Sequence, residues 1–227
     1  MSPRWLHWPV ATPSGPTLII HDTFTSGSTT WNGRTPDTLN LPSGSWTKPK
    51  TSPGFTADTT GGFGYRSQRS TDGSLGEYKD TIVIPTNSAA CRIVSDVMVP
   101  TTSLNSHAVG VCFWDSSGLS SGAENFVALL IGFNNTTLLR EVISGTETNL
   151  ASSNAVTYTS GSRYILDVEV SGTSASANVF DSTGTTELVA LSTSSITLSS
   201  SNNAGCLFMG VGSSSSYGRV YDFKVYT

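Results

Sequence analysis

Charge is scarce in this chain. Only 12% of its 227 residues are Asp, Glu, Lys or Arg, and 12 Lys+Arg against 16 Asp+Glu leave a net charge of −4. The cations are scattered and form no basic stripe, which argues against a nucleic-acid partner held through its phosphates. Long apolar runs are missing as well. Nothing approaches the roughly 20 residues that a membrane-spanning helix requires. Cysteines number three, Cys91, Cys112 and Cys206, and each sits inside a strand-like run. They read as buried free thiols acting as small hydrophobes, with a disulfide between two of them as the alternative. His7, His21 and His107 lie far apart, and no Cys/His spacing of metal-site type occurs, so a zinc centre has no support. Nucleophile-elbow, P-loop and dinucleotide-binding signatures are absent too. Gly61-Gly62-Phe63-Gly64-Tyr65 is glycine-rich but has no Lys-Ser/Thr after it.

What the chain does have is short apolar runs, 22 glycines and an abundance of Ser and Thr. With 37% hydrophobic residues and little net charge, it is a folded domain rather than a disordered one. From residue 17 onward, short apolar runs recur about every 8–15 residues, separated by Gly, Ser, Asn and Asp, the pattern of a sandwich or barrel. Expected strands are 17–20, 77–84, 91–99, 108–114, 126–133, 137–144, 164–171, 174–181, 188–192, 205–211 and 219–226. In one of them Tyr164, Leu166, Val168 and Val170 share a face while Asp167 and Glu169 share the other. The run Phe126-Val-Ala-Leu-Leu-Ile131 is apolar on both faces, as a central strand covered on both sides should be. Asn134-Asn135, Ser144-Gly145 and Ser171-Gly172 are turn dipeptides. No window has helical spacing, and the stretch 185–204 is mostly Thr and Ser, poor helix formers. The expectation is an all-β, antiparallel sandwich of two sheets of five or six strands.

Residues 1–20 differ from the rest. Pro3, Pro9, Pro13 and Pro16 interrupt any regular element, and Trp5, Leu6, Trp8 and Val10 place large apolar groups between them. This segment is expected to be an extended arm docked on a surface, ahead of a sandwich over residues 21–227. The opening Met1-Ser-Pro-Arg4-Trp5-Leu6-His7-Trp8-Pro9 lacks the apolar core of a signal peptide, so synthesis in a host cytoplasm is expected.

Two segments carry a family resemblance. The first is Asp22-Thr-Phe24-Thr25, followed by Thr35-Pro36-Asp37 and Ser43-Gly44-Ser45-Trp46-Thr47; Arg34 stands where a histidine is expected. The second is the closing run from residue 163 to 181, then 205–212 and Arg219-Val-Tyr-Asp222-Phe-Lys-Val225. Over about residues 18–227 the chain resembles the concanavalin A-like (laminin-G-like) lectin/glucanase jelly rolls of phage and bacterial proteins. The resemblance implies a jelly-roll sandwich, and with the missing export signal it implies a non-enzymatic virion component. Such a protein would be a capsid decoration, head-fibre or tail-associated part, docked to other virion proteins by its arm. A homo-oligomer is compatible with that setting, though no residue pattern specifies one. The alternatives are a glycan-binding receptor module for cell surfaces and, third, a polysaccharide-cleaving enzyme.

Glucanases of this fold carry an E-x-D-x-x-E strand, and retaining hydrolysis needs two carboxyls about 5–5.5 Å apart. Asp167-Val168-Glu169 is the nearest approach, but Gly172 stands where the third acid should be. These two carboxylates are expected on a solvated outer face, and no catalytic residue is assigned. No cofactor or metal site is expected; a structural calcium at Asp22, Asp37 or Asp222 is the one ion the resemblance allows. For sugar stacking the candidates are Trp31 in a Thr-Thr-Trp-Asn-Gly turn, Tyr65 in the glycine-rich loop, Trp114 at a strand end, and Tyr217 after a serine run.

Overall fold

The computed structural model describes residues 16–48, 54–68, 77–86, 92–101, 107–115, 124–198, 203–211 and 218–227. Fifteen strands occur among them, numbered in chain order, in two sheets whose pairings are all antiparallel. The larger sheet runs β13 (Glu187–Thr193), β12 (Ser174–Phe180), β11 (Arg163–Ser171), β6 (Arg92–Met98), β15 (Arg219–Tyr226), β1 (Leu18–Asp22), β2 (Thr38–Leu39). The hairpin β3 (Gly54–Asp58) and β4 (Phe63–Gln68) joins it by pairing Tyr65 and Gly64 with Arg219 and Val220, at the start of β15. The smaller sheet runs β10 (Thr146–Ser153), β9 (Thr137–Ile143), β8 (Phe126–Ile131), β7 (His107–Trp114), β14 (Asn203–Val211), β5 (Glu77–Pro85). The two sheets face each other as a jelly-roll sandwich.

Alternation decides which side chains meet between the sheets. Along β11, Tyr164, Leu166 and Val168 point inward while Arg163, Asp167 and Glu169 point out, as the period of two requires. The opposing sheet contributes Val109, Val111 and Phe113 from β7, and Val127, Leu129 and Ile131 from β8, all fully buried. Each such side chain contributes roughly 1.5–3 kcal/mol on burial, which is how the sandwich holds without cross-links. Cys112 and Cys206 are buried free thiols; Cys91 lies outside the described residues.

Four strands go beyond the sequence expectation: β2, β3, β4 and β10. β2, β4 and β10 hold little inward apolar alternation, and β3 is short, with Phe55 and Ala57 as its core residues; all four owe their place to pairing with better-defined neighbours. The sheets have nine and six strands, not five or six each. The sandwich also begins at Leu18, inside the span expected for the arm. The expected arm residues Trp5, Leu6, Trp8 and Val10 lie outside the described residues.

Turns follow their sequence chemistry. Ser144 and Gly145 both have positive φ, 49° and 75°, the two-residue geometry that suits the right-handed twist between β9 and β10. Between β8 and β9, Phe133–Asn135 form one 3₁₀ turn in which Asn134 and Asn135 take φ of 52° and 57°, a region asparagine tolerates better than most residues.

Candidate functional site

The aspartate motifs that open the sandwich assemble into a buried polar knot. Asp22, 0% exposed, receives Arg34 Nη2 at 2.8 Å, Arg34 Nε at 3.0 Å, Trp46 Nε1 at 2.7 Å and the Phe24 amide at 2.9 Å. Arg34 reaches on to Asp37 at 2.9 Å and donates to the Ser26 carbonyl. Asp37 also accepts the Thr23 amide at 2.8 Å and the Ser26 hydroxyl at 2.5 Å. Burial alone would raise the Asp37 carboxyl. The Ser26 and Thr23 hydroxyls, the Thr23 amide and the Arg34 charge outweigh it and hold the group below its ordinary value. Desolvation likewise opposes the Arg34 charge, and Asp22 and Asp37 more than restore it. Every polar group here is consumed internally, so the knot is structural. Arg34 is its centre, a role the sequence alone did not disclose.

Trp31 belongs to the same mouth of the sandwich. Its turn is drawn inward by Trp31 N–H to the Phe55 carbonyl at 3.3 Å and Gly33 N–H to the Trp46 carbonyl at 2.6 Å. The indole is 0% exposed and meets Phe24, Trp46, Phe55 and Phe208 edge-on at 4.9–6.1 Å between centroids. Trp31 is therefore a core residue and presents no face to a sugar. Trp114, 1% exposed, stacks on Phe126 at 4.8 Å and 17° and is likewise withdrawn from solvent. Tyr65 is half-buried on the outer side of β4, 5.7 Å from the Phe63 ring. Arg219 lies 4.2 Å over Phe63, and Arg163 lies 4.1 Å over Tyr221. Tyr217 lies outside the described residues. The three described candidates, Trp31, Tyr65 and Trp114, are not brought together.

Asp167 and Glu169 stand on the outer face of the nine-stranded sheet, as expected. Asp167 is held bidentately by Arg92, with contacts of 2.8 and 2.7 Å. Neighbouring pairs repeat the theme: Arg163 with Asp96, and His21 with Asp222 at 2.7 Å. Among the described residues, no group of three or more His, Cys, Asp or Glu side chains is placed to hold a metal ion.

The outer face of the six-stranded sheet is of another kind. It is apolar: Val83, Cys112, Trp114, Phe126, Ala128, Leu130, Leu138, Val142, Leu207 and Met209 form a second buried cluster, separate from the inter-sheet core. Registers align its small residues side by side: Gly205 is level with Cys112 and Cys112 with Ala128, while Leu207 is level with Gly110 and Gly110 with Leu130. A Cβ on Gly110 would lie 2.0 Å from the Leu129 carbonyl oxygen, and one on Gly205 2.4 Å from that of Ile82, so both positions admit glycine alone without a backbone shift.

At one end this face opens into a pocket of about 320 Å³. Ala108, Leu130, Leu138 and Met209 make its floor, and Phe133 stands beside them. Asn134 and Thr136 come from the 3₁₀ turn and the residue after it, Arg140 from β9, Asn149 and Ser152 from β10, and Asn154 from just beyond. Arg140 Nε donates to Asn149 Oδ1 at 3.0 Å, and its Nη1 is ion-paired with Glu147 and lies 3.7 Å from Met209 Sδ. Thr136 donates its hydroxyl to Asn154 Oδ1 at 2.8 Å. Apolar floor, aromatic flank and converging amides are the lining that small-molecule sites use, and the volume lies at the lower end of their range. In sequence Asn134-Asn135 is a plain turn dipeptide, and nothing local marks Asn149 or Asn154. Their convergence depends on the pairing of β9 with β10, which residue spacing does not reveal.

No family model matches the chain, and no curated protein resembles it closely enough in sequence to be counted a relative. Solved structures do resemble its fold. The CBM2 module of the evolved Dit of Lactobacillus casei BL23 phage J-1 superposes with a TM-score of 0.57 at 14% identity, over 93% of this chain and 95% of that one. A Bacillus licheniformis beta-glucanase gives 0.58 at 8% identity, over 95% and 99%. The carbohydrate-binding module CBM66 from Bacillus subtilis gives 0.50 at 12% identity, over 77% and 91%. The chain thus has the concanavalin A-like jelly-roll fold, shared by carbohydrate-binding modules, glucanases and a phage module.

Proposed function

We propose that the chain is a non-enzymatic, glycan-binding sandwich carried on a phage particle. The observation that carries the binding half is the pocket at the end of the six-stranded sheet. Its Asn134, Asn149 and Asn154 amides and Ser152 hydroxyl can exchange hydrogen bonds with sugar hydroxyls. Phe133 and the aliphatic floor can take the apolar face of a pyranose. Against catalysis stands the supply of carboxylates. Among the described side chains, the strands of that face present Glu147, and its carboxylate is engaged by Arg140. Retaining hydrolysis requires two carboxyls about 5–5.5 Å apart, and inverting hydrolysis requires two as well.

The particle half is supported by the likeness to the phage Dit module and by the Pro- and Trp-rich segment that precedes β1. In this reading that segment docks the sandwich to other virion proteins and leaves the pocket outward. Two experiments test the halves separately. The full chain applied to an immobilised glycan panel should bind a subset of sugars, and Phe133→Ala should weaken that binding about tenfold or more; uniform absence of binding refutes the lectin role. Deleting residues 1–15 should abolish incorporation into particles while leaving a cooperatively melting domain; normal incorporation refutes the docking role.

A further inference from the structure

We infer that the pocket is selective for a 2-acetamido sugar, an N-acetylated hexosamine, over the parent hexose; this rests on the glycan-binding reading above. The argument is a count of donors and acceptors. A guanidinium can only donate, so the Arg140 Nε contact at 3.0 Å fixes Asn149 with Oδ1 inward toward Arg140 and Nδ2 as its outward group. The Thr136 hydroxyl donates to Asn154 Oδ1 at 2.8 Å, so that carbonyl too accepts a bond from within the protein and Nδ2 is that residue's remaining donor. Two amide carbonyls of the rim thus already accept a bond inside the protein, and the NH₂ groups of these two pocket-lining residues are their donors left for a ligand. Such a rim asks its ligand for acceptor oxygens.

Hydroxyls, carboxylates and amide carbonyls all supply them, and the remaining lining decides among the three. Arg140, the cation of the pocket, is ion-paired with Glu147, so an anionic sugar meets no net positive charge and would be desolvated without Coulombic return. The floor of Ala108, Leu130, Leu138 and Met209 is aliphatic and adjoins Phe133. A methyl group placed there gains from burial, whereas a carboxylate or hydroxyl would lose water without replacement. An acetamido group joins both requirements in one substituent: a carbonyl oxygen for the amide rim and a methyl for the floor.

The test is titration of the full chain with methyl glycosides of N-acetylglucosamine, N-acetylgalactosamine, glucose, galactose and glucuronic acid, followed by calorimetry or ligand-observed NMR. An acetamido sugar is expected to bind about tenfold or more tightly than its parent hexose, the value of one well-made hydrogen bond with its apolar contact. In saturation-transfer spectra its methyl should receive the strongest transfer. Asn149→Asp and, as a second variant, Asn154→Asp replace a donor by an acceptor of the same shape. Each should cut that preference about tenfold at unchanged melting temperature. Equal affinity for acetamido sugar and hexose, or tighter binding of the glucuronide, overturns the inference and leaves the lectin role standing. Failure of every sugar to bind removes both.

Discussion

Replacing Asp22 by alanine strips the sandwich mouth of the acceptor that four groups share. Arg34 Nη2 and Nε, Trp46 Nε1 and the Phe24 amide all point at its carboxylate within 3.2 Å, and Asp22 and Arg34 are 0% and 2% exposed. Removing one partner of a buried ion pair costs about 3–5 kcal/mol, and because Arg34 keeps Asp37 at 2.9 Å the lower end is expected here. Arg34→Met, which strands the Asp22 carboxylate instead, should cost about the same. For a chain of this length each kcal/mol lowers the melting temperature by about 2–4 °C, so either variant should melt at least about 6 °C early. The informative measurement is the double variant. If the pair acts as one unit, Asp22→Ala with Arg34→Met loses far less than the sum, because no charge remains buried alone. A coupling of about 2–3 kcal/mol, toward the top of what contacting residues show, is expected. Urea unfolding followed by the fluorescence of Trp31 and Trp46, both in the affected core, reads all four corners of the cycle. Additive losses, with coupling below about 0.5 kcal/mol, would refute the claim that these motif residues form a single knot.

Gly64→Ala directs a methyl to within 2.6 Å of the Trp31 ring in a closed core, an overpacking that should cost about 1–3 kcal/mol in a thermal melt. The knot should also make stability acid-sensitive. Asp37 is depressed below its ordinary 3.8, so its contribution is fully present above about pH 4 and is lost as the pH falls through its folded-state value. The urea midpoint should drop over that window, and Asp37→Asn should flatten the drop; an unchanged slope in the variant counts against the assignment. Glu141, buried at 4% exposure, accepts the Thr197 and Leu198 amides at 2.7 and 2.8 Å. Glu141→Ala should destabilise by about 1–3 kcal/mol and accelerate hydrogen exchange at those two amides. Burial pushes the Cys112 and Cys206 thiols well up. Both should therefore resist a thiol reagent until the chain unfolds, and labelling of two or more thiols in the native protein would refute that.

The strands legible beforehand are those whose alternation the core enforces, such as β11 with Tyr164, Leu166 and Val168 inward. β4 was hidden because its polarity is inverted. Gly64 and Arg66 point inward, the former because Trp31 occupies the space a side chain would fill, while Phe63 and Tyr65 sit on the outer side. β10, Thr-Glu-Thr-Asn-Leu-Ala-Ser-Ser, is an edge strand with no apolar face of its own, placed by its ladder to β9. Trp31 was misjudged for a related reason. A Thr-Thr-Trp-Asn-Gly turn reads as solvent-facing, yet backbone bonds to Phe55 and Trp46 fold it over the end of the core. The aspartate motifs were visible as motifs, but their purpose was not, since Asp22, Arg34, Asp37 and Trp46 are joined by long-range contacts that no local pattern encodes.

In the proposed reading, the difference between the outer sides of the two sheets is what favours binding at the end of the six-stranded sheet. On the nine-stranded sheet Arg92 is matched to Asp167, Arg163 to Asp96 and Lys224 to Asp222, which also hydrogen-bonds His21. Exposed pairs of that kind add at most about 1 kcal/mol each to stability, and they hold little hydrogen-bonding capacity in reserve for a ligand. The other sheet ends in the pocket, which pairs an aliphatic floor of Ala108, Leu130, Leu138 and Met209 with a rim whose Asn149 and Asn154 carbonyls already accept bonds from within. A ligand docking there gains apolar burial and finds NH₂ groups already held in place by Arg140 and Thr136, so little side-chain entropy is lost on binding. On the proposed reading, donors held above an aliphatic floor favour a ligand that brings a carbonyl and a methyl together.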